Sequence, residues 1–234
     1  MSGFIGEFIG TMILIILGTG CSAAVNLKNN YAYHQNWFFV TIAWGLAVTM
    51  GIYVANILGS LASLNPVVTI GLAILNKLPW ISVIPYIIAE LLGAFTGATI
   101  IAIFYYPQFK ITNGKKEGNQ VGIFATVPPI KNYLFNFLSE VIATFLFVLI
   151  LFNMGGFTKG LKPLIVGLLI SSIGMSLGGT TGFALNPARD FAPRFAYYIL
   201  PIPNKSSAQW SYAWIPIIGP FVGGILATLL TIVL

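Results

Sequence analysis

The 234-residue chain is 57% hydrophobic and only 7% charged, and its 11 basic and 5 acidic residues leave a formal net charge of +6. A soluble domain carries roughly 25% charged residues, so a large wet globule is excluded, and the basic residues are too sparse for a nucleic-acid footprint. The single cysteine, Cys21, excludes an intrachain disulfide and a cysteine-based metal cluster.

The first apolar stretch covers 4–26. Met1-Ser2-Gly3 supplies no basic residue and Glu7 interrupts the run, so the segment is predicted to stay as a membrane span and not to be cleaved. Gly18-Thr19-Gly20-Cys21 lacks the larger aliphatic of a lipidation site, and Cys21 is read as buried and chemically idle. Further apolar stretches follow at about 37–58, 82–106, 132–154, 161–178 and 212–234. Each crosses ~30 Å of hydrocarbon as a helix. The alternating pattern of a closed barrel, the other spanning solution, is absent. Polar connections fall at 27–36, 107–131 and 155–160.

Two apolar stretches, 65–75 and 186–197, are too short to span. They open with Leu64-Asn65-Pro66-Val67 and Leu185-Asn186-Pro187-Ala188. Asn is a favoured N-cap and Pro a favoured first helical residue, so both are predicted to start short helices. One isolated Asn-Pro reads as an ordinary turn. These are the only two in the chain, and each follows the second span of a three-span half.

The halves echo each other elsewhere. Gly6-Glu7-Phe8-Ile9-Gly10-Thr11 resembles Ser139-Glu140-Val141-Ile142-Ala143-Thr144, and Gly93-Ala94 has an echo in Gly223-Gly224. The expected fold is an all-α membrane protein with six transmembrane helices plus two re-entrant half-helices. It forms a single domain over 1–234, built of inverted repeats at about 1–106 and 132–234 joined by the loop 107–131. An odd number of spans per half inverts the second half, which brings the half-helix N-termini together near the midplane.

Non-helical backbone at that depth survives only when buried or lining a wet cavity. Two half-helices meeting head to head therefore imply an aqueous path. Asn65 and Asn186 cap their helices and offer N–H donors to it. The preceding residues, Leu61, Ala62, Ser63 and Leu64 with Gly182, Phe183, Ala184 and Leu185, present carbonyl acceptors. Glu7 and Glu140 are read as structural supports that accept hydrogen bonds from these extended stretches, and Glu90 as a third. A catalytic dyad is the other reading of the carboxylates, but no nucleophile stands beside them. His34 is the only histidine, so a triad or a zinc site has no parts. No cofactor and no metal is expected. Arg189, on the first turn of the second half-helix, is read as a constriction residue rather than an interfacial arginine snorkelling to headgroups.

Gly182-Phe183-Ala184-Leu185-Asn186-Pro187-Ala188-Arg189-Asp190-Phe191-Ala192-Pro193-Arg194 resembles the signature of the aquaporin, or major intrinsic protein, family. Asp190 after the arginine and the basic Arg194 four residues on resemble its glycerol-facilitator branch, the aquaglyceroporins. That resemblance implies a selectivity filter at Trp44, Gly174, Phe183 and Arg189, and central motifs at Asn65, Pro66 and Val67 and at Asn186, Pro187 and Ala188. It implies a passive, non-enzymatic channel in the cell membrane for glycerol and other small neutral solutes with some water. It also implies four protomers with one pore each and both termini cytoplasmic. Gly174 would leave width, Trp44 and Phe183 an apolar corner, and Arg189 hydrogen bonds for hydroxyls. The alternatives are a channel mainly for water or for urea, a hydroxy acid or a metalloid hydroxide, and an ion-coupled secondary transporter.

Three residues depart from the family pattern. Val67 stands where alanine is usual and is expected to narrow the centre slightly. Ser63 replaces a common histidine and Glu90 a common glutamine. The basic residues also run against the implied orientation. Lys28, Lys110, Lys115, Lys116, Lys131, Arg194 and Lys205 fall outside and only Lys77, Lys159 and Lys162 inside, the reverse of the positive-inside bias.

Overall fold

Inside hydrocarbon every backbone N–H and C=O must pair within its own segment, and the long apolar stretches do so as helices. The computed structural model describes residues 2–114, 120–158 and 160–234. In order its helices are α1 (Ser2–Asn26), α2 (Trp37–Ile57), α3 (Pro66–Ile74), α4 (Val83–Phe104), α5 (Tyr106–Ile111), α6 (Val121–Phe124), α7 (Tyr133–Asn153), α8 (Lys162–Leu177), α9 (Pro187–Ile199) and α10 (Ile215–Val233). There is no strand among the described residues. Six helices, α1, α2, α4, α7, α8 and α10, are long and apolar enough to cross a membrane. The expected spans agree with them to within about three residues at each end, the usual fraying. Asn36 and Asn132 fix the starts of α2 and α7 by accepting the Phe39 and Phe135 N–H groups, at 3.1 and 3.3 Å.

Lipid gives helices little hydrophobic reason to associate, so small residues that let backbones touch decide the pairing. A Cβ on Gly93 of α4 would strike the Phe8 carbonyl, and one on Gly97 would come within 2.7 Å of the Met12 carbonyl, both on α1. In the second half a Cβ on Gly223 of α10 would strike the Val141 carbonyl on α7. Gly45 of α2 and Gly167 of α8 meet in the same way across the halves. The half-helix α9 also packs against α4, and α3 against α10, so the opposite half holds each one.

The connection 107–131, expected as a polar loop, contains α5 and α6. Phe109, Val121, Ile123 and Phe124 are fully buried there, with the Phe109 and Phe124 rings stacked at 6.0 Å. The apolar residues of this segment fold back onto α9 through Phe124 and Tyr197. Arg194, counted above among the charges falling outside, is buried in an ion pair with Asp190 at 2.8 Å. It therefore drops out of the comparison of the two faces. Lys115, Lys116 and Lys159 from that comparison lie outside the described residues.

Candidate functional site

The site is built where α3 and α9 meet. Each half-helix starts with proline after an asparagine in extended conformation. Asn65 Oδ1 accepts the Val67 N–H at 3.0 Å, and Asn186 Oδ1 accepts those of Ala188 and Arg189 at 2.9 and 3.2 Å. The amide nitrogens cross over. Asn65 Nδ2 donates to the Leu185 carbonyl at 2.9 Å, and Asn186 Nδ2 to the Leu64 carbonyl at 2.6 Å. Each asparagine thus caps its own helix and ties down the other half's loop. One amide hydrogen on each remains for the cavity that both residues line.

The approaches to the two motifs are neither helix nor strand. Ala62, Leu64, Phe183 and Leu185 have φ of +56°, +51°, +41° and +55°, and Gly182 has +92°. Left-handed backbone is costly for residues with a Cβ, so something must hold it. Glu7 accepts the N–H groups of Ser63 and Leu64 at 3.0 and 2.7 Å and the Ser60 hydroxyl. Glu140 accepts those of Ala184 and Leu185 at 3.1 and 3.2 Å. Glu90 stands under the first turn of α3, against the Asn65 N–H, and accepts the Thr69 hydroxyl at 2.5 Å. Among the described residues the carbonyls of Leu61, Ala62, Ser63, Gly182, Phe183 and Ala184 accept no hydrogen bond. They are free to serve a solute or water.

A cavity of about 330 Å³ passes through this junction. Lys77, Lys162 and Asn56 line one end and Trp44, Phe183 and Arg189 the other, with Asn65, Asn186, Val68 and Phe147 between. A second cavity continues past Arg189 between Gln35, Asn26 and Thr126. The Arg189 guanidinium lies 3.9 Å over the Trp44 ring, and Nη1 donates to the Phe124 carbonyl at 3.1 Å. Stacking and one hydrogen bond fix the group and leave its other N–H groups unspent.

Of the four residues expected at the constriction, three line the cavity and Gly174 does not. It stands behind Phe183, where a Cβ would lie 2.9 Å from the ring. The volume freed by its missing side chain is occupied by Phe183. Val67 also differs from expectation. It is buried against Gly224 of α10, where a Cβ would collide with its Cγ1, and it is not on the cavity wall. The alanine-to-valine departure therefore widens a helix contact and does not narrow the path.

Sequence reasoning missed several participants. Trp44 is seated on Gly18, where a Cβ would lie 2.7 Å or less from three ring atoms, and its indole N–H reaches Ser22 at 3.2 Å. The glycine that looked like part of a lipidation motif is a seat for an aromatic ring. The Phe124 carbonyl comes from a segment with no motif at all. Asp190 Oδ2 accepts the Thr126 N–H and hydroxyl, both at 2.7 Å, while Oδ1 holds Arg194. Arg194 in turn donates to the Thr126 and Ala208 carbonyls at 2.8 Å. This network fastens the segment that carries the Phe124 carbonyl. No cluster of His, Cys, Asp and Glu that could hold a metal occurs among the described residues.

Six spans, two half-helices capped head to head and a cavity through their junction define a membrane protein with a path along its own axis. Residues 1–231 match the family described as major intrinsic protein, and the chain belongs to that family. It is 61% identical over 227 residues to Glycerol uptake facilitator protein 2 of Lactiplantibacillus plantarum, covering 97% of each chain. It is 50% identical to the Glycerol uptake facilitator protein of Bacillus subtilis, over 96% of this chain and 81% of that one. Among solved structures, the aquaglyceroporin from Plasmodium falciparum superposes with a TM-score of 0.83 at 34% identity, covering 97% of this chain and 93% of that one. The resemblance to the glycerol-facilitator branch holds over nearly the whole chain.

Proposed function

We propose that this protein is a passive channel for glycerol and similar small neutral solutes, with some water passing as well. The observation that carries the reading is the Arg189 guanidinium over the face of Trp44, with Phe183 on the same cavity. Hydrogen-bond donors lie on one side and apolar ring surface on the other. A polyol has the matching two faces, since its hydroxyls project from one edge and its C–H groups from the other. It exchanges water hydrogen bonds for those of Arg189, the Asn65 and Asn186 amides and the free carbonyls before each motif. A solute without hydroxyls leaves these groups unpaired, at about 1–3 kcal/mol each.

Charge is rejected by two features. Arg189 supplies a fixed positive charge, and the N-termini of α3 and α9 add roughly +0.5 each at the centre. Half-helix dipoles and an arginine excluding cations are a recognised device of aquaporin-type pores. The protein has no enzymatic role in this reading. It acts in the cell membrane with both termini cytoplasmic, and four protomers assemble with one pore in each, in keeping with the family.

Stopped-flow light scattering on reconstituted vesicles, comparing glycerol with water, tests the reading. Wild type should accelerate glycerol entry, and the rate should not depend on any ion gradient. Gly174→His drives a side chain into the place of Phe183, so it should suppress glycerol far more than water. Glycerol uptake that collapses when ion gradients are dissipated would instead identify a coupled transporter.

A further inference from the structure

Phe183 has no hydrogen-bonding handle, and the backbone carrying it is left-handed at φ +41°. Its ring position is therefore set by what stands behind it. Gly174 and Gly178 give it room, since a Cβ on either would lie 2.9 Å or less from the ring. A further wall is Trp37, the first residue of α2, whose ring meets Phe183 edge to face at 5.6 Å and 87°. Trp37 is itself held, because its indole N–H donates to the Gly174 carbonyl at 2.9 Å. That carbonyl, in the last turn of α8, also accepts the Gly178 N–H. A tryptophan of an interfacial belt turns its N–H to water and headgroups, whereas this one spends it across the two halves. Trp37 lines the cavity beyond Arg189, which Phe183 and Arg189 share, and is absent from the cavity through the half-helix junction that Phe183 also lines. Its ring contact with the constriction is the one it makes with Phe183.

We propose that Trp37 is a positioning residue that sets the width of the constriction by clamping Phe183 between its own ring and the Gly174–Gly178 seat. The proposal rests on the channel reading above and assigns a size-selecting role to a residue outside the four expected. Losing the clamp lets Phe183 retreat into the space that the indole vacates. The pore then loosens towards wider polyols, while water, already narrower than the gap, is little affected.

The test uses full-length protein in vesicles and measures permeability to water, glycerol and the five-carbon polyol xylitol. Trp37→Phe keeps an aromatic wall but removes the N–H, and Trp37→Leu removes both. The xylitol-to-glycerol ratio should rise about three- to tenfold in Trp37→Phe, the factor corresponding to one net hydrogen bond. It should rise further in Trp37→Leu, with water permeability within about twofold of wild type. In a Phe183→Leu background, Trp37→Phe should change the ratio no further, since such cycles isolate the pairwise coupling. An unchanged ratio in both single variants, or an equal rise in the Phe183→Leu background, overturns the proposal. A parallel fall of all three solutes, the signature of a merely structural tryptophan, also overturns it. Wild-type vesicles that pass no glycerol above the empty-vesicle rate would overturn the channel reading instead.

Discussion

From Asn65 and from Asn186 the two half-helices begin alike and then diverge. Both have an asparagine cap, a proline at the first turn, a left-handed approach held by a carboxylate and an amide given to the other half. Three residues past the asparagine, α3 has Val68 where α9 has Arg189. Four past it, Thr69 stands against Asp190, and eight past it, Ala73 against Arg194. The first half-helix has no charge and is steadied from outside by Glu90 on α4. The second carries three charges and is steadied by its own Asp190–Arg194 pair, which reaches out to the segments around Thr126 and Ala208. The shared part builds the junction at the middle. The unshared part places a cation against Trp44 on one side only. In the proposed channel reading, the shared scaffold supplies the path and the departure from symmetry supplies the discrimination.

The sharpest way to break this comparison is to remove the charges that α9 has and α3 lacks. Arg194→Ala leaves Asp190 buried without its partner, which typically costs 3–5 kcal/mol. Folded yield and thermal stability in detergent should fall steeply. Breaking the bond that steadies α3, by Thr69→Val, should cost much less, because no charged partner is removed.

Glu7 and Glu140 test the shared part, and here the halves should behave alike. Alanine at either position frees buried N–H groups at about 1–3 kcal/mol apiece and should lower the amount of folded protein. Glutamine keeps an accepting oxygen and should retain part of the flux. If the Glu7 and Glu140 alanine variants fold and conduct normally, neither carboxylate is a support.

Val67 and Gly224 offer a smaller probe. Gly224→Ala should overpack the α3–α10 contact at roughly 1–3 kcal/mol. Val67→Ala in the same chain should restore most of that stability. Val67→Ala alone should leave water and glycerol permeability near wild type, because the side chain faces α10. A marked rise in permeability would put Val67 back on the pore wall.

The least effect on folding is expected from Arg189→Val, which makes this position of α9 match Val68 of α3. Discrimination among solutes should weaken. Proton leak, followed with a pH-sensitive dye in vesicles, should rise only modestly because both half-helix dipoles remain. A strong cation current through the wild type would contradict the barrier altogether.

The sequence made the six spans and both half-helices legible, because a continuous apolar stretch and an Asn-Pro start are local signals with one physical meaning each. The place of Arg189 on the half-helix, and the family resemblance for Trp44 and Phe183, picked out three residues that the fold brings onto one cavity. The sequence misjudged residues whose role depends on what faces them. Gly174 was read as empty width, yet a ring fills it. Val67 was read as a pore residue, yet it faces Gly224. Arg194 was counted among the charges of the outer face, yet it is sealed against Asp190. The segment around Phe124 was read as a polar loop because its turns and lysines dominate the local composition.

What the sequence determined by itself is the membrane architecture, since length, hydropathy and capping are properties of contiguous residues and the bilayer permits few ways to satisfy a backbone. What only the tertiary structure decided is which surfaces meet. The seat of Trp44 on Gly18, the Trp37 bond to the Gly174 carbonyl and the Phe124 carbonyl on Arg189 join residues 26, 137 and 65 positions apart. A glycine or a carbonyl has no side chain to announce its partner. Its role is fixed by the atom that the fold sets against it.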